Sequence, residues 1–339
     1  MNPEVPDAKF FQERPVIRHE EEPCVIFACY RRMMYYPVYF LLYALSLLPM
    51  RILYLLSDLA YLLLYYVTGY RKKVVMENLA TAFPDHTWQQ NKQIAREFYR
   101  NFTDNFIETL KLLSASKAFL TRHFIVDNPE LFEAYFQQGR KCQLHLGHSF
   151  NWEFANTVMP FYTSYTFLVV YMPVENKLFN RLLLRLRSRT GTALLPATGL
   201  SRAIIPFRNR QYMLTLVADQ APGNLAKSFW LPFFNRPTPF MQGPERGARI
   251  ADIPVLFASI YKTRRGYYHA RLERAADHPS GLPEGALTRM FIDFLERSIR
   301  QQPSMYLWTH RRWKHDWKDQ YASLWIGPPA ERPGSRDTR

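Results

Sequence analysis

The apolar positions of this chain fall into two regimes. Residues 35–48 are almost continuously apolar and aromatic, Pro49 ends that run, and a second follows over 52–67, interrupted by Ser57 and Asp58. Each run is shorter than the roughly 20 residues that cross a bilayer. Arg31 and Arg32 precede them, and Arg71, Lys72 and Lys73 follow, so positive charge flanks both ends and marks neither side. A bent or interfacial anchor with tyrosines at headgroup depth fits this pattern; a buried pair of core helices is the alternative. Residues 1–30 are polar, with Pro and a Glu-rich patch, and read as a flexible extension without a cleaved signal peptide.

From Val74 the pattern turns amphipathic with a helical period. It continues to Ser116, broken at Pro84-Asp85, with Thr87 placed to cap the second half. Asn128 is placed to cap a helix that has Pro129 and Glu130 in its first turn and Gly139 at its close. Thereafter β-rich runs at 141–146, 165–171, 193–195, 212–218, 255–261 and 267–272 alternate with helical patterns at 152–158, 176–190, 244–251 and 287–301. A short helix opens at Ser201 and is limited by Pro206. This alternation predicts an α/β fold: a central, mostly parallel sheet flanked by helices, preceded by an N-terminal hydrophobic membrane-anchoring helical segment. The expected organisation is a flexible extension over 1–30, an anchor over 31–73, a catalytic domain over 74–325 and a disordered tail over 326–339.

In such folds reactive residues gather at the carboxyl ends of strands. The run 141–146 stops at Gly147, and His148 follows; Glu153 lies five positions on, in the first turn of the next helix. An imidazole on a turn with a carboxylate at a helix start makes a base and orienter pair, although His-x4-Glu also arises by chance. His145, His148 and Glu153 could instead be three metal ligands of a hydrolase, if the strand bends enough to bring them together. Met172-Pro173 and Asp219-Gln220 occupy equivalent strand ends.

Charge narrows the partners. Of 339 residues, 44 are Lys or Arg against 29 Asp or Glu, a formal excess of +15. That implies an anionic partner: a phosphorylated substrate, an acidic protein, an anionic membrane surface or nucleic acid. The basic residues are scattered and no nucleic-acid-binding module is recognisable, so nucleic acid is disfavoured. The three cysteines, Cys24, Cys29 and Cys142, lack zinc spacing and leave one unpaired, which suggests a reducing compartment and no structural disulfide.

An ordered series of blocks over about residues 35–325 resembles the lipid A biosynthesis acyltransferases, the lauroyl and myristoyl transferases within the lysophospholipid acyltransferase group. The series runs from the aromatic anchor through Gly69-Tyr70-Arg71-Lys72-Lys73 and Glu77-Asn78-Leu79 to Gly147-His148-Ser149-Phe150-Asn151-Trp152-Glu153. Then come Tyr171-Met172-Pro173 with the basic helix to Arg189, Asp219-Gln220 with Gly223, Phe233-Phe234, Gly243-Pro244, and Trp308-Thr309-His310-Arg311-Arg312-Trp313-Lys314. Phe150 stands where relatives usually have Gly, and Met172 where many have Arg.

The resemblance implies acyl transfer from an acyl carrier protein thioester to a hydroxyl of a phosphorylated glycolipid acceptor, a lipid A precursor. It implies no cofactor, and a bacterial inner-membrane location with the catalytic domain on the cytoplasmic side. Arg187, Asp219 and Gln220 become substrate-binding candidates, and Arg311-Arg312 either meets phosphate or is a simple charged loop. Direct transfer needs no covalent intermediate, and no Gly-x-Ser-x-Gly elbow is present. Acylation of a lysophospholipid or aminolipid is the nearest alternative; a basic membrane or nucleic-acid-binding protein without catalysis is the remotest.

Overall fold

A computed structural model describes residues 25–334, with side chains from residue 35 onward. The flexible extension expected over 1–30 therefore falls largely outside the described residues, as do Cys24, the Cys29 side chain and the last five residues of the tail. The chain divides into two compact units, residues 1–40 and 41–339. A helix, Val25–Ser46, begins in the first and ends in the second, with Pro37 inside it.

In the second unit the predicted strands build the core. Among the described residues the strands are β1 (Phe124–Val126), β2 (Cys142–Leu146), β3 (Thr166–Tyr171), β4 (Ala193–Pro196), β5 (Tyr212–Val217), β6 (Ser228–Phe233), β7 (Arg236–Met241), β8 (Val255–Arg264) and β9 (Tyr267–Ala276). Seven of them form one sheet in the order β1-β9-β8-β2-β5-β3-β4. β8, β2, β5, β3 and β4 are mutually parallel, while β9 returns antiparallel to β8 and β1 lies parallel to β9. The α/β prediction with a mostly parallel sheet is thus what the chain adopts. β2 lies between β8 and β5, and all five of its residues are buried, as expected where helices cover both faces of a parallel strand.

The separate β6–β7 hairpin was not legible as a pair of strands. Pro232, Pro237 and Pro239 argue against strands in sequence. The turn, Phe234-Asn235, has positive φ at both residues, a primed two-residue turn made without the usual glycine. Thr87 caps the helix Trp88–Lys111 through a reciprocal box with Gln90, whereas Asn128 does not cap. Its side chain bonds the N–H and C=O of Leu272 on β9, and Pro129 takes the cap position of the helix Glu130–Gln137.

The second apolar run is the helix Met50–Leu62, extended by a π-helical turn over Leu63–Val67. Over residues 50–67 it is long and apolar enough to cross a membrane by length and composition. It is also two-faced. Leu53, Ser57, Tyr61 and Tyr65 are buried, and Ser57 donates to Asp104 of the helix Trp88–Lys111 at 2.7 Å. Leu55, Leu59, Leu63 and Val67 stand exposed, forming the kind of apolar surface that marks a contact site. Truncation at Arg71 would remove core residues together with this face, so substitutions confined to the exposed face test whether it anchors the protein without disturbing the fold. Leu55→Asp with Leu59→Asp, at positions 69% and 65% exposed, should move the protein out of the membrane fraction with an unchanged melting temperature. Leu53→Asp should instead unfold it, since a carboxylate would be buried without a partner; fractionation and thermal melts of the two variants check this.

Candidate active site

The site begins with strand register. β2 and β5 pair from Cys142 opposite Met213 to Leu146 opposite Val217. The ladder continues with the Ala218 N–H on the Leu146 carbonyl at 3.0 Å. Two positions further the same register sets His148 opposite Asp219. Both of its oxygens engage the histidine: Oδ2 accepts from the backbone N–H of His148 at 2.9 Å, and Oδ1 lies 2.5 Å from Nδ1. Gly147 leaves room here: a Cβ would sit 2.4 Å from Leu295 Cδ1, so that side chain would have to shift, and at an ordinary contact distance of 3.5 Å from Asp219 Oδ2.

This geometry corrects the expected pair. Glu153 does open the helix Trp152–Val158, yet it does not orient His148. Its buried carboxylate is held by Arg187, with Nε at 3.1 and 2.9 Å from the two oxygens and Nη2 at 2.5 Å from Oε1. Trp152 Nε1 donates to it as well. The physical reason lies at Asn151, whose left-handed backbone (φ +47°) turns the chain between the two residues, so that Glu153 is aimed at the end of the helix Lys177–Arg187. Asp219, which the resemblance implies as a substrate contact, lies beneath the imidazole and is only 1% exposed; the His148 side chain is 16% exposed.

The electrostatics favour an ionised Asp219. Burial by itself would push the carboxyl up, but the charge and hydrogen bonds of His148, with Arg312 nearby, hold it down at about 2. As an acceptor-only group it keeps the proton on Nδ1 and leaves a lone pair on Nε2. That nitrogen faces the Gln220 amide nitrogen at 2.9 Å. Trp152 meets the imidazole edge-on, with ring centroids 5.7 Å apart.

A C-terminal loop backs the pair. Leu307 N–H donates to the His148 carbonyl, Phe150 N–H to that of Met305, and Tyr306 bridges to Ser149. Asn78 holds this loop by the carbonyls of Trp308 and His310 at 2.7 and 2.8 Å, which joins two blocks far apart in sequence. Burial, with the Asp219 charge beside it, pushes the Tyr306 hydroxyl well up, and burial pushes His310 down to about 4. Arg312 is fully buried. It donates to the Pro239 carbonyl at 2.9 Å and lies 4.0 Å over the Phe240 ring, so neither reading of the pair, a phosphate contact or a simple charged loop, describes Arg312. Tyr306 was missed, since it carries no local signal; His310 lies in a block that the resemblance marked, but no role was read for it.

The metal alternative loses its ligand set. His145 points into the core, bonded to Gln143 and packed against Phe257 and Phe291; burial pushes its imidazole down to about 3. Among the described residues no three His, Cys, Asp or Glu side chains converge on a metal position. Cys142 is buried and unpaired.

The profile of the family described as bacterial lipid A biosynthesis acyltransferase matches residues 27–315. The chain is similar, at 22% identity over 250 residues, to the lipid A biosynthesis palmitoleoyltransferase of Escherichia coli strain K12. That alignment covers 72% of this chain and 79% of the relative. The lipid A biosynthesis acyltransferase of Shigella flexneri matches to the same extent.

Because the Asp219 carboxyl is depressed from 3.8 to about 2, its stabilisation is full above the unfolded value and disappears as pH falls through the folded one, a contribution of about 2 kcal/mol. Asp219→Asn should therefore flatten the acid limb of stability between about pH 4 and pH 2. Acid unfolding of wild type and variant reads this directly; identical acid limbs would contradict the coupling.

Proposed function

This chain belongs to the bacterial lipid A biosynthesis acyltransferase family, and from that premise we propose that it moves a fatty acyl chain from an acyl carrier protein thioester to a hydroxyl of a lipid A precursor. The observation that carries the mechanism is the Nδ1 contact between His148 and Asp219 at the carboxyl ends of the two central strands. Nε2 takes the acceptor proton as the hydroxyl oxygen attacks the thioester carbonyl. The tetrahedral intermediate collapses, the carbon–sulfur bond breaks, and the imidazolium returns the proton to the departing thiolate. Asp219 steadies the cation formed in between. Gln220 occupies Nε2 in the free site, so the acceptor hydroxyl must displace it.

Arg187 holds Glu153 in a two-point ion pair at the rim of the proposed acceptor side, and a substrate phosphate would have to share the guanidinium with that carboxylate. Exposed Met172, Val174 and Phe179 give the same rim an apolar lip suited to acyl chains. The palmitoleoyl group named for the Escherichia coli relative is one candidate chain. The exposed face of residues 50–67 would rest on the inner membrane, with the site on the cytoplasmic side where the thioester donor is made.

The decisive experiment is mass spectrometry of lipid A from cells with and without the protein, alongside His148→Ala. An added acyl chain that depends on the wild-type protein, and a loss of roughly 10²–10⁴-fold in the variant, are expected. Product on a lysophospholipid or aminolipid acceptor, or near-normal turnover of folded His148→Ala, would refute the reading.

The donor is tested separately. With a formal +15 on the enzyme and an acidic carrier protein, attraction acts mainly on encounter and is screened within about 8 Å at physiological salt. Raising salt should increase KM for the carrier-protein thioester more than it changes kcat. A preference for coenzyme A thioesters, or a salt-indifferent KM, would overturn this donor.

A further inference from the structure

The apolar helix and the catalytic turn meet at one carboxylate. Glu108, on the helix Trp88–Lys111, is fully buried and accepts from three side chains. Tyr54 of the helix Met50–Leu62 donates to Oε1 at 2.7 Å. Tyr268 of β9 and the Asn151 amide both donate to Oε2, at 2.8 and 2.6 Å. Asn151 is the residue whose left-handed backbone separates His148 from Glu153. It stands at the cap position of the helix Trp152–Val158, yet its side chain makes no capping bond; the amide is committed to Glu108 instead.

A second layer braces the carboxylate. Asp104, one turn earlier on the same helix, accepts from Ser57 and binds Arg265, and Arg265 also binds Asp58. Lys262 lies 3.5 Å from Asp104. The same helix face therefore grips the apolar helix at Tyr54 and Ser57, and Arg265 adds a hold on Asp58.

A carboxylate is an expensive way to fill this position. Burial pushes Glu108 up to about 7, opposed by the bonds from Tyr54 and Tyr268 and reinforced by Asp104. A well-packed apolar side chain of similar volume is often neutral or stabilising where buried charge is replaced. What the carboxylate offers is direction, because its two oxygens fix three donors from three different elements at once.

We infer that Glu108 is a positioning residue for the transfer reaction: by holding the Asn151 amide it sets the turn that aims His148, and through Tyr54 it ties that turn to the apolar helix. The inference rests on the acyl-transfer reading of the site. None of the Glu108 contacts is with His148 or Asp219, so its effect on chemistry runs through the backbone of the turn.

The test uses the full chain in detergent or lipid vesicles. Asn151→Gly tolerates the left-handed backbone without strain but lacks the amide. It should lower kcat by about 10- to 100-fold, the scale of a misplacement of about 1 Å, with KM and melting temperature little changed. Glu108→Ala should lower kcat comparably, and the double variant should be no slower than the slower single, because both remove one contact. Tyr54→Phe should speed hydrogen exchange of residues 147–153. Wild-type kcat in Asn151→Gly, or additive losses in the double variant, would overturn the positioning role; unchanged exchange in Tyr54→Phe would overturn the tie to the apolar helix. If Glu108→Ala fails to fold, Asn151→Gly decides alone. A wild-type protein that transfers no acyl group would instead sink the acyl-transfer reading, and that outcome is distinct from every one above.

Discussion

Two buried parallel strands in fixed register make this site. β2 and β5 are held by their ladder and by burial on both faces, so neither can slip: a shift of one residue would turn every side chain to the opposite face. The consequence is felt two residues past the strand ends, where His148 and Asp219 stand opposite one another. Gly147 completes the arrangement by letting Leu295 come close to the backbone. His148 is therefore aimed by the sheet itself, and the loops around it only have to preserve what the register sets.

Most of the surrounding polar structure exists to make buried charge tolerable. An ionised Asp219 is acceptable because His148, Tyr306 and Arg312 surround it. Arg312 in turn has one hydrogen bond, to Pro239, and an aromatic face beneath it, while its Nε and Nη1 find no protein partner among the described residues. Glu153 and Arg187 form a two-point ion pair that fixes a planar geometry as well as a charge balance. Breaking one partner of such a pair leaves an uncompensated buried charge, which is the costly event in a low-dielectric interior. That asymmetry explains why charged residues so distant in sequence must be correct together.

The ends of the domain converge on the same place. Asn78, just beyond the apolar segment, holds the carbonyls of Trp308 and His310, and that C-terminal loop clasps the turn after β2 at His148 and Phe150. Glu108 reaches the turn from the other side through Asn151. Three segments thus fix the shape of the turn, and the helix Met50–Leu62, with its exposed apolar face, is tied to one of them through Tyr54 and Glu108.

The sequence by itself determined the elements and the address of the site. Periodicity located six of the nine described strands and the main helices, missing β1 and the proline-bearing β6 and β7, because a strand covered on both faces reads as an apolar run and a two-faced helix as a repeat of about 3.6 residues. Gly147 followed by His148 marked the strand end where reactive groups collect, and the ordered blocks marked the family. Partnership was not legible. Glu153 lies five residues from His148 and looked like its partner, whereas Asp219 lies 71 residues away and is the carboxylate that meets the imidazole. Only the pairing of β2 with β5 makes them neighbours, and a left-handed residue at Asn151 sends the nearer carboxylate to Arg187. Local patterns record which way a chain folds upon itself. Which charge meets which is decided by strand order, register and a single backbone angle, and these are properties of the assembled structure alone.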